Sequence, residues 1–168
     1  FQDNVKFRNI IINGDMSIAQ RATSATGLGN GDSGYHTVDR FKFVENSSPS
    51  CEFTQSQSTD VPTGQGFAKS LKMDCTTAQG SLGADDFIYI NTSAEGQNLQ
   101  YLKKGTSSAE SVTLSFWVKS NKTGTYIFEI IDSDNSRAIS KSYTISSADT
   151  WEKKTITFAG DTTGAFNN

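Results

Sequence analysis

Histidine occurs once and cysteine twice, and no apolar run approaches the roughly eighteen residues that a membrane-spanning helix needs. Each shortage removes a class of function. With His36 alone in a polar loop there is no second imidazole for a metal site, and no Ser or Cys lies in a recognisable nucleophile motif. No metal, cofactor or catalytic residue is therefore expected. Basic residues are also short. The 15 Lys and Arg against 18 Asp and Glu leave a formal charge of -3, without the electrostatic footprint that neutralises nucleic-acid phosphates. Nucleic acid is excluded as a partner on that ground, and membrane insertion by the shortness of the apolar runs. Phe1 does not open a signal-peptide pattern, so the compartment is not readable from a targeting segment.

What is present favours strands and turns. Ser, Thr, Asn and Gly dominate the polar residues, and Phe and Tyr are well represented. A length of 168 residues suits one domain with a single core, so residues 1–168 are expected to form one unit, with 1–8 as a lead-in. Asn9-Ile10-Ile11-Ile12-Asn13 and Met16-Ser17-Ile18-Ala19-Gln20 are predicted strands around a Gly14-Asp15 break. Residues 22–37 have no apolar period and are predicted to form a long surface loop leading into a strand over 38–44.

Further strands are predicted at 51–57, 67–75 and 86–91, and the Leu99/Leu102 spacing predicts one or two helical turns within 94–102. In Val112, Leu114, Phe116 and Val118 the alternation is clear, with Thr113, Ser115, Trp117 and Lys119 on the other face. Strands at 126–131, 139–145 and 151–158 follow, separated by turn-rich stretches. Strands at such intervals describe an all-β antiparallel sandwich of the jelly-roll kind. The turn-like stretch 160–168 follows a strand where a return strand would be expected. The sandwich is therefore expected to be incomplete at that end, with the natural chain continuing or a strand supplied from elsewhere in an assembly.

Cys51 and Cys75 share the apolar parity of their segments, and a turn over 61–66 would bring those segments into a hairpin. A disulfide is geometrically open, but two free thiols acting as small core hydrophobes is the expectation. Three Asn-x-Ser/Thr triplets carry no weight in a chain so rich in these residues. The glycine-rich run 27–34 lacks the following helix and Lys-Ser/Thr of a phosphate loop. Asp132-Ser133-Asp134-Asn135-Ser136 resembles the start of a calcium loop but lacks its Gly and Glu, so a hairpin turn is expected. Asp85 and Asp86, placed in a strand, would point to opposite faces and could not act as an acid/base pair.

The aromatic residues carry the best binding signal. Trp117 lies on the polar parity of its strand, where a flat ring can stack against a sugar, and Tyr126, Trp151 and the loop residue Tyr35 are candidates to join it. The competing role for these rings is packing beneath a loop or in an oligomer interface.

Asn9-Ile10-Ile11-Ile12-Asn13-Gly14-Asp15-Met16-Ser17-Ile18-Ala19-Gln20-Arg21, followed by Gly34-Tyr35-His36-Thr37-Val38-Asp39-Arg40-Phe41, resembles a phage tail-fibre and virion-appendage family. Ser115-Phe116-Trp117-Val118-Lys119-Ser120 and Thr150-Trp151-Glu152 also resemble its sandwich core and that of carbohydrate-binding modules. The resemblance implies a non-enzymatic, repeated virion protein, trimeric by preference, made in the bacterial host cytoplasm. Its implied partners are other virion proteins and a bacterial surface glycan. It carries over no functional residue, and the sugar-contact candidates rest on side-chain chemistry alone. The alternatives are a purely structural virion part (fibre, adaptor or capsid decoration) and a carbohydrate-binding module of a larger glycan hydrolase.

Overall fold

The computed structural model describes residues 9–29, 31–46 and 51–165; the expected lead-in 1–8 lies outside them. The protein is all-β and antiparallel, with one short 3-10 helix. The chain divides into two compact units at Ser93/Ala94.

The first unit holds two three-stranded sheets. β1 (Ser24–Gly29), β4 (Glu52–Ser58) and β5 (Ser70–Thr77) form one, in the order β1-β4-β5. β2 (Ser33–Gly34), β3 (Lys42–Glu45) and β6 (Ile88–Asn91) form the other, in the order β2-β3-β6. Among the described residues its buried ones are Leu28, Val38, Phe43, Cys51 and Pro62, together with the polar Thr37, Glu45 and Gln55. Phe43 packs against the ring of Phe53 at 6.0 Å and against the edge of His36 at 6.2 Å.

Several expectations fail in this unit, each for a local reason. Residues 9–20 form no strand. Asn13 instead takes the backbone groups that a strand partner would have taken: its side chain accepts from Ile18 N at 3.0 Å and donates to Ile18 O at 2.9 Å and Asp39 O at 2.8 Å. The break at Gly14-Asp15 is a turn, with Asn13 and Met16 at positive φ. The expected loop 22–37 contains β1 and β2. These strands escape an apolar-period search because glycine and small polar residues build them. Gly27 (φ +67°) lies in the irregularity between Ala25 and Leu28, and a Cβ on Gly29 would meet Cys51 O at 2.1 Å. The strand expected over 38–44 is confined to β3, because Phe41 N turns back to Val38 O and Arg40 takes φ 74°. Asp85 and Asp86 precede β6 and lie outside it; Asp86 Oδ2 accepts from Gly83 N at 2.7 Å and closes the turn.

The β4–β5 hairpin forms as expected, with Phe53 opposite Cys75. Both cysteines are free thiols; Cys51 is buried, but Cys75 is exposed and so is not a core residue. Burial, reinforced by the charge of Glu45, pushes the Cys51 thiol pKa up.

The second unit opens with the 3-10 helix Gly96–Leu102, ended by Lys103 in the left-handed conformation. Two ribbons follow: β7 (Val112–Val118) pairs with β10 (Glu152–Phe158), and β8 (Gly124–Asp132) pairs with β9 (Arg137–Ile145). The period-2 pattern puts Leu114, Phe116, Ile156 and Phe158 on the packed face of the first ribbon. Phe116 meets Tyr143 edge-on at 5.1 Å and Phe128 at 6.1 Å, and Phe128 meets Phe158 at 6.0 Å. Ile145, Ile156 and Phe158 are buried, each contributing about 2 kcal/mol by burial.

Candidate functional site

In an antiparallel ribbon, residues directly opposite share a face. Trp117 stands opposite Lys153, Ser115 opposite Thr155 and Thr113 opposite Thr157. Continuing that register by one step brings Trp151 across from Lys119, and Lys119 Nζ lies 5.6 Å from the centroid of the Trp151 ring. Trp117 and Trp151 therefore occupy one face of the β7–β10 ribbon as diagonal neighbours, a spacing of about 7–8 Å. This face is opposite the one carrying Phe116 and Phe158, whose rings pack against the β8–β9 ribbon.

Both tryptophans are half-buried, whereas Thr113, Ser115, Lys153, Thr155 and Thr157 are exposed. The Thr113 and Thr157 hydroxyls bond each other at 2.9 Å across the ribbon. The face thus offers two indole rings, four hydroxyl side chains and two ammonium groups. None of these side chains is a carboxylate or an imidazole. Chemically it can stack flat apolar faces and hydrogen-bond hydroxyls, which are the two contacts a sugar ring offers.

Tyr126 is not brought to this face. It stacks on Tyr143 at 5.7 Å with the planes 20° apart, and its hydroxyl bonds Ser120 Oγ at 3.1 Å and donates to Lys122 O at 2.9 Å. It is a packing residue that also fastens the β7–β8 turn. Burial, with a smaller contribution from Tyr126, pushes the Tyr143 phenol pKa up. Tyr35 belongs to the first unit, where its exposed ring lies 5.7 Å from the Arg21 guanidinium carbon. His36 is packed, with Nε2 3.5 Å from Asp32 Oδ2.

Lys119 and Lys153 escaped the sequence reading because scattered lysines look like solvated surface. The signal that finds them is parity: both share the two-residue phase of the tryptophans. A second missed cluster stands around the β8–β9 turn, which is the hairpin expected for 132–136. Lys104 Nζ bonds Asp132 Oδ2 and Gly164 O and lies 3.4 Å from Asp161. Arg137 donates to both oxygens of Asp161, at 2.8 and 3.0 Å, and Asn135 donates to Asp132 and Ala165 O, each at 2.7 Å. These partners draw residues 161–165 onto the turn. The Arg137 hydrogen bonds hold the Asp161 carboxyl well below the usual carboxylate range. Burial alone would raise Asp132, but the hydrogen bonds from Lys104 and Asn135 outweigh it and hold this carboxyl low as well. Among the described residues no group of three or more His, Cys, Asp or Glu could hold a metal ion.

Comparison of the chain with protein-family models, with curated proteins and with solved structures found no match.

Proposed function

We propose that this chain is a bacteriophage virion fibre or appendage protein whose β-strands make a jelly-roll sandwich, and that it contributes to attachment to a host-surface glycan. The observation that carries the reading is the β7–β10 face, where Trp117 and Trp151 stand together above a row of Thr and Ser hydroxyls. Its chemistry fits recognition of sugars without turnover, so the role is non-enzymatic. The motif resemblance gains a physical meaning from Asn13, which ties the opening segment to Asp39 of the second motif. Arg21, 3.7 Å from Asp39, adds to the same junction. In a homo-oligomer, with a trimer favoured, repeated weak sites act together through their effective concentration. The virion is then the working location, and other virion proteins are partners.

A specific feature favours a second reading, a purely structural virion part. The β8–β9 ribbon exposes Ile127 at 64% and Ile131 at 58%, and β6 with its preceding residue exposes Phe87, Ile88, Tyr89 and Ile90. Apolar surface of this kind marks contact with neighbouring chains.

The test is binding of the assembled protein to a bacterial glycan array and to host cells, with Trp117→Ala and Trp151→Ala compared after circular dichroism confirms folding. Each is expected to weaken binding by about 1–3 kcal/mol, the range of a stacking ring. An assembled wild type that binds neither array nor cells would move the assignment to the structural reading.

A further inference from the structure

Independently of the glycan-platform reading, we infer that β6 is a docking edge for a second copy of this chain, whose own β6 adds to it antiparallel about a two-fold axis. β6 (Ile88–Asn91) lies at one end of the order β2-β3-β6, and among the described residues it pairs with β3 alone. The register fixes where its backbone groups point. Asn46 N donates to Phe87 O at 3.1 Å, and Val44 stands opposite Tyr89 in the same ladder. Hydrogen-bonded pairs alternate along an antiparallel ladder, so Phe87, Tyr89 and Asn91 turn their backbone groups to β3. Ile88 and Ile90 turn theirs to the open edge. The other side of β3 agrees, since Glu45 N donates to Asp32 O at 3.1 Å, toward β2.

Open edges are ordinarily blunted by charge, proline or a bulge. β5, at an end of the other sheet, carries Lys72 and Asp74, and β1 at its opposite end is irregular between Ala25 and Leu28. β6 has none of these devices. Residues 87–91 hold no charge and no proline, and the register with β3 is unbroken. Phe87, Ile88, Tyr89 and Ile90 are each 38–48% exposed, and the Phe87 and Tyr89 rings stack on each other at 5.6 Å.

A second β6 complements this edge in detail. With Tyr89 on the two-fold axis, Ile88 of each copy meets Ile90 of the other, so outward backbone groups meet outward backbone groups. One face then gains isoleucine pairs, and on the other the stacked rings of the two copies run into a single row. Charge selects the direction. Exposed Asp85 precedes the strand, whereas its far end carries Arg40, bonded to Ser93 O at 3.2 Å, and Lys42, opposite Asn91. Antiparallel pairing brings the acidic start of each copy to the basic end of the other, and parallel pairing would set like charges together. The four exposed side chains offer roughly 400 Å² per copy, about half of what a standard interface takes from each partner, so the association is weak and depends on concentration.

The experiment cross-links the full chain through cysteine, in a Cys75→Ser background that removes the exposed native thiol. Across the two-fold axis the Tyr89 positions form a non-hydrogen-bonded pair, with Cα atoms about 4.5 Å apart, close enough for a disulfide. Tyr89→Cys should give a covalent dimer on mild oxidation, read on a non-reducing gel. Ile88→Cys, which faces Ile90 of the second copy and not its own counterpart, should not. Adding Ile90→Pro deletes a donor that faces the open edge, leaves the bonds to β3 in place, and should abolish the Tyr89→Cys cross-link while the circular dichroism spectrum stays that of the wild type. Sedimentation of the wild type, which keeps its Tyr89 ring, gives a second measurement: its average mass should rise with concentration, and Ile90→Pro should shrink the rise. A wild type still monomeric at about 1 mM, the weak end of measurable association, would overturn the proposal. Cross-linking that survives Ile90→Pro, or that is equal in Ile88→Cys, would overturn it too. Neither result bears on the Trp117 platform, which the glycan array reads separately.

Discussion

The two units of this protein hold themselves together by different means. In the first, three polar side chains, Thr37, Glu45 and Gln55, are buried beside Phe43, Val38 and Leu28. Among the described residues His36 Nε2, Glu45 Oε1, Gln55 Nε2 and Asn91 Oδ1 are buried without a hydrogen-bond partner, and all four belong to this unit. In the second, the buried side chains among the described residues are the apolar Ile145, Ile156 and Phe158, and charged groups are gathered into a paired network around the β8–β9 turn. The first unit relies on directed bonds whose geometry selects one arrangement. The second relies on alternation of apolar side chains, with ion pairs closing its end. Removing one bond should therefore be felt differently in each.

The largest effect is expected at Lys104. Its side chain and that of Asp132 are only 12% and 9% exposed, so taking away the ammonium leaves a nearly buried carboxylate beside a second one, Asp161. Lys104→Met should cost about 3 kcal/mol, the scale of breaking a buried pair by removing one partner. Both tryptophans of the chain, Trp117 and Trp151, lie in the second unit, so urea unfolding followed by indole emission reads this region. Adding Asp132→Asn should recover part of the loss, because the orphaned charge is gone. A single variant within about 0.5 kcal/mol of wild type, the ordinary surface range, would show that the network is ornamental.

A smaller cost is expected at the counterpart bond of the first unit. Thr37 Oγ1 donates to Gln55 Oε1 at 2.8 Å with both side chains buried. Thr37→Val keeps the shape and deletes the donor, which should destabilise by about 1–2 kcal/mol because a buried carbonyl is left unmet. Pairing it with Gln55→Met removes both polar partners and should bring stability back toward wild type. Urea unfolding followed by circular dichroism measures this, since the first unit contains no tryptophan. A Thr37→Val protein as stable as wild type would erase the distinction between the units.

The same distinction governs what was legible in the sequence. In the second unit, alternation at Val112, Leu114, Phe116 and Val118 announced a strand whose apolar face is its packed face. In β7 and β10 one face is packed and the other open, and local periodicity carries the information. In the first unit, Ser24–Gly29 presents one buried apolar side chain, Leu28, and its glycines are required by a positive φ at Gly27 and by close backbone approach at Gly29. A glycine that lets two strands touch and a glycine that makes a loop are the same letter. Ile10, Ile11 and Ile12 misled in the opposite direction, because asparagine side chains take backbone groups of this region: Asn9 Oδ1 accepts from Ile11 N, and Asn13 holds both Ile18 N and Ile18 O. For the candidate site, parity put Trp117 on the polar side of its strand, while Trp151 needed the β7–β10 register to reach the same face and Tyr126 needed the partner ribbon to show that its ring packs inward.

The smallest effect separates the units by pH. Asp161 is held low first by Arg137 and then by the Thr163 amide; Glu152 is held low first by Lys154 and then by the Ser147 and Ser146 amides. Asp132 is lowered in spite of its burial. All three therefore bind protons more weakly in the folded chain than in the unfolded one, where carboxylates titrate near about 4. Their contribution to stability is fully present above that value and disappears as the pH falls through the folded values. The indole-monitored urea midpoint should stay level from about pH 7 to about pH 5 and fall at about pH 3, by a modest amount, since solvent screens the exposed members. Asp161→Asn should lower the midpoint at neutral pH and shrink the acid decline, because one of the three linked carboxylates no longer titrates. A variant that declines in acid as steeply as wild type would place the acid sensitivity outside the Arg137–Asp161 pair.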